Sequence, residues 1–293
     1  MQNNGLIVSS YGRQFIVEYQ GKNYQAVTKG KKTEFVVGDL VELKLINEAQ
    51  VQIIKILPRE NLIYRSDHNR SKIIASNLDQ IIIVVAVKPN FNLSFLNSCL
   101  VCAEESQVSP LIVINKMDLV ESADFANKLK EVFGKQLNYP ILELSAVDSC
   151  EQLMPYLQGK RNLLIGQSGM GKSTITNQIC PDADARIGEI TKYENSGCHT
   201  TTNATLYHIN DSSDLTDCPG LQEFGLYHIE LSQFAEYFPE MREFLGNCKF
   251  SNCVHLSEPN CAVRQAVQDN LIDPKRYEFY QRIAANLKLK KNY

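Results

Sequence analysis

No apolar run in this 293-residue chain approaches the ~18 residues that a membrane span requires, so no spanning helix and no membrane partner are expected. The first residues, Met1-Gln2-Asn3-Asn4-Gly5, have neither the basic region nor the apolar stretch of a secretory signal. Internal repeats and low-complexity tracts are missing as well. Together these absences point to a cytoplasmic protein built from ordinary folded domains. Strong charge of one sign is also lacking, with a formal net charge of −3. The distribution is uneven: residues 1–60 carry 8 Lys+Arg against 6 Asp+Glu, residues 61–230 carry 13 against 20, and residues 231–293 carry 9 against 7. Mildly basic flanks around an acidic centre permit nucleic-acid contact at the flanks and prove none. The tail Lys288-Leu289-Lys290-Lys291 reads as a solvated end.

Nine cysteines in a chain of this type do not suggest a disulfide framework. Three of them, Cys248, Cys253 and Cys261, fall with His255 in one short segment. Four residues separate the first pair, one precedes the histidine, and five follow it. Asn252, Pro259 and Asn260 give this segment the look of a polar loop, which has no reason to bury thiols. Four soft or borderline ligands with no open position suit a closed tetrahedral structural Zn²⁺ site. Cys99 and Cys102, by contrast, lie in the apolar helical stretch from Phe95 to Glu104 and read as core.

The glycine-rich segment Gly166-Gln167-Ser168-Gly169-Met170-Gly171-Lys172-Ser173 follows the apolar strand Asn162–Ile165 and opens a helical run to Ile179. Such a loop brings backbone N–H groups against phosphate oxygens. Gly166, Gly169 and Gly171 clear the approach, and the helix that follows adds its N-terminal dipole. Gln167, Ser168, Met170 and Thr174 belong to the same cradle. Lys172 would reach the β- and γ-phosphates, and the Ser173 hydroxyl would ligate Mg²⁺. About fifty residues earlier, Asn115-Lys116-Met117-Asp118 ends the strand Leu111–Ile114. Asp118 can accept from both N1–H and the 2-amino group of guanine, a pair of donors that adenine does not offer. Asn115 can contact the N7/O6 edge, and the Lys116 stem can cover the ring. Ser145-Ala146, after the strand Ile141–Leu144, is where a backbone N–H would meet guanine O6. The three motifs together specify a GTP rather than an ATP site. Their order is inverted relative to ordinary GTPases, which place the phosphate loop first.

Asp217-Cys218-Pro219-Gly220 ends the strand-like Asp214–Thr216 and fits Asp-x-x-Gly. Asp217 would hold Mg²⁺ through water, and the Gly220 N–H would touch the γ-phosphate. Between the two motifs lies Gly197-Cys198-His199-Thr200-Thr201-Thr202. A hydroxyl from this run, with Thr200 and Thr201 foremost, should complete the Mg²⁺ shell, and spacing leaves the choice among the threonines open. Many GTPases orient the attacking water with a Gln directly after Asp-x-x-Gly. Here that residue is Leu221, and Gln222 comes one place too late. His199 is the catalytic candidate instead. As neutral imidazole it could accept from the water, and as imidazolium it could stabilise γ-phosphate charge. His208 reads as a structural sheet residue, while His68 and His228 show no partner pattern.

Residues 1–60 read as five short strands, Leu6–Val8, Gln14–Val17, Tyr24–Val27, Gly38–Leu43 and Val51–Leu57, the pattern of a small OB-like β-barrel. From Leu78 the pattern becomes α/β, opening with a run, Ile81–Val87, of the kind buried on both faces of a sheet. Strands ending at Ile114, Leu144, Ile165, Ile209 and Thr216 complete a six-stranded mixed sheet. After about residue 230 the strands stop, and helices, including one from Pro274 to Lys288, surround the cysteine loop. The expected fold is multidomain α/β. Its parts are a barrel over 1–60, a circularly permuted P-loop GTPase domain over 61–230, and a helical zinc-binding module over 231–293.

These motifs resemble one family along the whole chain, the circularly permuted bacterial GTPases known as ribosome small subunit-dependent GTPase A. The resemblance rests on Asn115–Asp118, Gly166–Ser173, His199–Thr202, Asp217–Gly220 and the Cys248/Cys253/His255/Cys261 spacing. It implies hydrolysis of GTP to GDP and phosphate, stimulated by the small ribosomal subunit during late maturation of that subunit. It further implies rRNA contact by barrel and zinc module and a catalytic role for His199; a monomer is expected. One departure is Cys198, where the family commonly has a basic residue. Two rival readings share parts of the pattern: a permuted GTPase of the large subunit, and a non-catalytic nucleotide-dependent RNA-binding module. The permutation puts the Asp217–Gly220 switch about 28 residues before Cys248, so a γ-phosphate-dependent movement there can pull on the zinc module.

Replacing His199 with alanine should leave GTP affinity in place and slow subunit-stimulated hydrolysis by ~10²–10⁴-fold, the usual cost of a lost general base or water-positioning group. Stimulated turnover within about twofold of wild type on the same subunit preparation would remove His199 from the chemistry.

Overall fold

The computed structural model describes residues 3–11, 14–28, 35–66, 71–181, 204–218 and 224–290. The segments holding His68, Cys198–Thr202 and Gly220–Gln222 lie outside these residues.

Alternation of apolar and polar residues builds the N-terminal barrel. In β4 (Leu40–Leu45) Val41 and Leu43 point inward, and in β5 (Gln50–Ile56) Val51 and Ile53 do the same. They meet Ile7 of β1 (Asn4–Tyr11), Phe15 and Val17 of β2 (Gln14–Tyr19), and Ala26 of β3 (Lys22–Thr28) in one closed core. The pairing order β1-β2-β3-β5-β4 returns to β1, with β3 and β5 parallel. All five expected strands are present, and the barrel closes.

A hairpin that the sequence did not announce follows the barrel: β6 (Leu62–Ser66) and β7 (Ser71–Ser76), paired antiparallel. It joins the barrel through Asp39, which is fully buried. Asp39 accepts two bonds from the Arg59 guanidinium at 2.6 and 2.7 Å and one from the Ser76 hydroxyl at 2.7 Å. On its other side Ser66 N–H donates to the Gly225 carbonyl at 3.1 Å, and its hydroxyl pairs with His228 Nδ1 at 2.8 Å. A Cβ at Gly225 would lie 1.7 Å from the Ser66 carbonyl oxygen, so only glycine allows this approach. His228 thus has a structural partner 162 residues away in the chain.

The central sheet has the order β10-β9-β8-β11-β13-β12, from β8 (Gln80–Val85), β9 (Ser109–Ile114), β10 (Ile141–Glu143), β11 (Arg161–Gly166), β12 (Thr205–Asn210) and β13 (Ser213–Asp217). Only β12 runs antiparallel to its neighbour, which makes the sheet mixed and six-stranded as expected. Every residue of β8 is buried, and its two faces feed two cores. Ile81, Ile83 and Val85 pack toward α1 (Leu93–Ser106), whose Cys99 and Cys102 are both buried. Ile82 and Val84 face Ile175 and Ile179 of α4 (Lys172–Ile179). Between these lie α2 (Ser122–Leu129), which continues into a π-helical turn over Lys130–Gln136, and the short α3 (Met154–Leu157). No helix among the described residues is long and apolar enough to cross a membrane.

Beyond Phe224 the chain forms 3₁₀ turns over Phe234–Tyr237 and Pro239–Phe244, then α5 (Ala262–Gln268) and α6 (Pro274–Lys290). Phe234, Phe238, Met241 and Tyr280 of this part share one continuous core with Leu96 and Leu100 of α1. Inside it lies a charged residue, Arg276, only 1% exposed. Its guanidinium donates to Glu240 at 2.7 and 3.3 Å and to the Asn97 side chain of α1 at 2.9 Å, and it lies 4.9 Å from the Phe238 ring centroid.

A second tie joins barrel and sheet. Ser9 of β1 is in register with Thr205 of β12, and His208 Nε2 reaches Glu18 of β2 at 2.9 Å while its Nδ1 pairs with Asp214 at 2.6 Å. The Asp214 bond, with Glu18 adding to it, raises the imidazole to about 9, so the ring stays cationic between two carboxylates at neutral pH.

Substituting Arg276 with methionine should strand the buried Glu240 carboxylate and destabilise the chain by ~3–5 kcal/mol, while the double change Arg276→Met with Glu240→Leu should recover much of that loss. Thermal unfolding of the three proteins checks this, and equal melting temperatures for the two variants would show that the stranded charge is not the cause.

Candidate nucleotide site and metal cluster

The phosphate loop follows β11 directly. Gly166 is buried so closely that a Cβ would lie 2.6 Å from the Val84 carbonyl oxygen. Gly169 and Gly171 have φ of +79° and +96°, a region open to glycine at little cost. Lys172 is 8% exposed, and its ammonium donates to the Gly166 and Gln167 carbonyls at 2.8 and 3.1 Å. Burial lowers its pKa, with the Asp217 carboxylate opposing that shift. Met170 is buried, whereas Ser168, Ser173 and Thr174 face solvent. Gln167 is tied to the start of α1 by accepting the Asn92 N–H at 3.2 Å.

The Asn115 motif stands beside this loop. The Asn115 side chain, 2% exposed, donates through Nδ2 to the Met170 carbonyl at 2.9 Å and accepts the Ala146 N–H through Oδ1 at 2.9 Å. A Cβ at Gly171 would sit 2.2 Å from Asn115 Nδ2, which makes glycine obligatory there for a second reason. Lys116 adopts a left-handed conformation (φ 65°), and the Ser122 hydroxyl fixes its carbonyl at 2.6 Å. The Met117 N–H donates to the Leu144 carbonyl at 3.2 Å. The Ser145 hydroxyl donates to Asp118 at 2.9 Å and so orients a carboxylate that is otherwise open. Asp118, Ser145, Ala146, Asn115 and the loop at 166–174 therefore converge on one rim of the sheet.

At the end of β13, Asp217 Oδ2 accepts from the Thr176 hydroxyl at 3.3 Å. Its other oxygen, Oδ1, is buried without a hydrogen-bond partner. Burial raises this carboxyl to about 6, with Lys172 opposing. An orphaned carboxylate oxygen next to a phosphate loop is the donor a hard divalent cation requires. His199, Thr200, Thr201 and Gly220 belong to the segments outside the described residues. One clamp on this site carried no sequence signal: Gln178 of α4 donates to the Ala146 carbonyl at 2.6 Å and accepts the Cys150 N–H at 2.8 Å.

The second constellation lies beneath α6. The ligand atoms of Cys248, Cys253, His255 and Cys261 all fall within 4.8 Å of one another. Cys248 Sγ is 3.8 Å from Cys261 Sγ, and His255 Nδ1 is 3.5 and 3.4 Å from those two sulfurs. Metal bonds of ~2.3 Å to sulfur and ~2.0–2.1 Å to nitrogen, set at tetrahedral angles, require edges of about 3.8 and 3.6 Å. The three edges among Cys248, His255 and Cys261 match those of a tetrahedral metal site, and Cys253 supplies the fourth donor within 4.8 Å of the others. Burial lowers the His255 pKa and so keeps the imidazole neutral, as a ligand must be. Tyr277 and Tyr280 of α6 donate to the His255 and Val254 carbonyls, each at 2.8 Å, and hold the loop in place.

A phosphate loop after β11, an Asn-Lys-x-Asp motif after the earlier strand β9, and both at the C-terminal rim of the parallel strands of a mixed sheet define a circularly permuted P-loop GTPase. A family profile described as RsgA GTPase matches residues 56–227. The chain belongs to the RsgA GTPase family and is a GTP-hydrolysing enzyme. It is 43% identical over 288 residues to the small ribosomal subunit biogenesis GTPase RsgA of Neisseria meningitidis serogroup B, covering 98% of this chain and 93% of that protein. With the protein of the same name from Nitrosomonas europaea it shares 42% over 287 residues, 97% of this chain and 91% of the other. Among solved structures it resembles YjeQ from Thermotoga maritima, with a TM-score of 0.74 and 29% identity over 98% of this chain and 99% of that one. It also resembles YloQ, described as a circularly permuted GTPase, with a TM-score of 0.71 and 27% identity over 98% and 96% of the two chains.

Changing Cys253 to serine should loosen the residues around the cluster and leave guanine nucleotide binding largely intact, because a structural zinc ion supplies ~10–16 kcal/mol of apparent binding energy in small modules. Elemental analysis of protein purified without chelators should find about one zinc per chain, the number one four-ligand site holds. A metal-free result would sink the assignment.

Proposed function

We propose that this chain is a GTPase that binds the small ribosomal subunit and assists its late maturation, hydrolysing GTP to GDP and phosphate when the subunit is engaged. The observation that carries the nucleotide reading is the Asn115 carboxamide, which joins the guanine motif, the Ser145-Ala146 loop and the phosphate loop in one hydrogen-bonded unit. In this reading Asp118 accepts from guanine N1–H and the 2-amino group. The Lys116 stem and Met117 lie against the base, Asn115 offers its second amide hydrogen to the N7/O6 edge, and the Ala146 N–H, which donates to Asn115 Oδ1, shares that hydrogen with O6. Gly166 to Thr174 cradle the phosphates, and Lys172 exchanges its two loop carbonyls for phosphate oxygens. Ser173 and Asp217, with Thr200 or Thr201, would hold Mg²⁺, which neutralises charge between the β- and γ-phosphates. Gly220 contacts the γ-phosphate, and His199 positions the attacking water.

The small-subunit assignment is supported by the extent of the likeness to proteins named for that role, which covers the barrel and the Cys/His cluster as well as the GTPase core. We assign residues 1–60 and 231–293 as rRNA-contacting modules, the second built on one structural Zn²⁺, around a GTPase domain at 61–230. The protein acts as a monomer in the cytoplasm, where small subunits mature.

The test is GTP turnover by the full chain alone, with purified small subunits, and with large subunits. Small subunits should accelerate turnover by ~10²-fold or more if a trans contribution of the kind supplied by GTPase-activating partners completes the site. Equal stimulation by large subunits would favour a large-subunit factor, and no turnover under any condition would leave a nucleotide-dependent binding module.

A further inference from the structure

The loop from Ser145 to Cys150 carries two of the groups assigned above to guanine recognition, and a side chain from a different element holds it at both ends. Gln178 lies in the second turn of α4, on its exposed side, where helix formation asks only for a residue of reasonable propensity. Its Nε2 donates to the Ala146 carbonyl at 2.6 Å, and its Oε1 accepts the Cys150 N–H at 2.8 Å. A carboxamide carries a donor and an acceptor on one carbon, so it can bind two peptide groups of a turning loop as a neighbouring strand would. Glutamate at 178 would lose the donor, methionine would lose both groups at similar length, and asparagine would fall one methylene short.

The contacts close a ring. Gln178 holds the Ala146 carbonyl, the Ala146 N–H donates to Asn115 Oδ1, and Asn115 Nδ2 donates to the Met170 carbonyl. Met170 belongs to the phosphate loop, whose last residues begin α4, and α4 carries Gln178. The Ser145 hydroxyl that orients Asp118 sits on the same loop. We propose that Gln178 is a positioning residue for guanine specificity, fixing the Ser145–Cys150 loop to the helix that grips the phosphates. The base reader is then aligned by the same rigid element that binds the phosphates. Opening the ring at Gln178 leaves the phosphate loop untouched, while Ala146 and Ser145 pivot about the Asn115 bond. This inference rests on the nucleotide site proposed above.

The experiment uses the full chain and its Gln178→Met and Gln178→Glu variants, with GDP measured by titration and ADP by competition at millimolar concentration. Loss of a partly buried hydrogen-bonded pair should weaken GDP about tenfold and leave the weak ADP affinity within about twofold, so the GDP/ADP preference falls about tenfold. Gln178→Glu keeps the acceptor for Cys150 and sets a carboxylate against the Ala146 carbonyl, so it should lose at least as much preference. A parallel loss of both nucleotides would mean that Gln178 merely braces α4 and would overturn the proposal. So would GDP binding by Gln178→Met equal to that of wild type. A wild-type chain without preference for GDP over ADP would instead strike the guanine-site reading itself.

Discussion

One amide side chain decides the geometry of the nucleotide site. Asn115 is buried at the point where the phosphate loop, the guanine motif and the Ser145-Ala146 loop meet, and its Nδ2 and Oδ1 bond Met170 and Ala146. A buried carboxamide must satisfy both ends, so the three segments cannot drift apart without leaving a polar atom dry. The requirement also reaches Gly171. Its glycine character is usually ascribed to close phosphate approach, yet here the space a Cβ would need is occupied by Asn115 Nδ2. Because the link is spatial, it is indifferent to the inverted order of the motifs along the chain.

A second constraint is that the GTPase sheet and the C-terminal residues share one core. Phe224, Leu226, Ile229 and Leu231, which follow the Asp217 segment, belong to the same core as α1 and as the residues flanking the Cys/His cluster. Arg276 pins that arrangement by bonding Glu240 and Asn97 together. Gly225 meets Ser66 of the hairpin, which is in turn fixed to the barrel at Asp39. A shift at the end of β13 therefore has packed neighbours in two directions, toward the cysteine loop and toward the barrel. Cores pack too densely to absorb such a shift by smooth deformation.

Much of this was legible in the sequence because it is local. The five barrel strands are runs of alternating residues ended by turn signals, and the six sheet strands are apolar runs followed by motif residues. The cysteine loop betrayed itself by thiols in a polar segment. What was not legible depends on pairs that only the fold brings together. The hairpin at Leu62–Ser76 lies between two stronger patterns, and its meaning comes from Val37 and Gly225 on either side. Arg276 looks like any helical arginine until Asn97, 179 residues away, accepts from it. Gln178 occupies an unremarkable helical position, and His228 acquires its role from Ser66. The residues expected to complete the Mg²⁺ shell and position the water, His199 to Thr202 and Gly220, fall outside the described segments.

The pairing of β1 with β12 also bears on self-association. An open sheet presents its outermost strands as templates for another chain, and β12 (Thr205–Asn210), with Leu206, Tyr207 and Ile209, would be a good one. Ser9 occupies the start of that edge, and Glu18 meets His208 further along it with a charged contact. The opposite edge, β10, is only three residues long and carries Glu143 paired with Lys130. The barrel, closed on itself through β1 and β4, adds no long edge of its own among the described residues. The N-terminal module thus serves as a guard on the sheet, and a GTPase core cut free of it would expose a strand suited to pairing with its own copies.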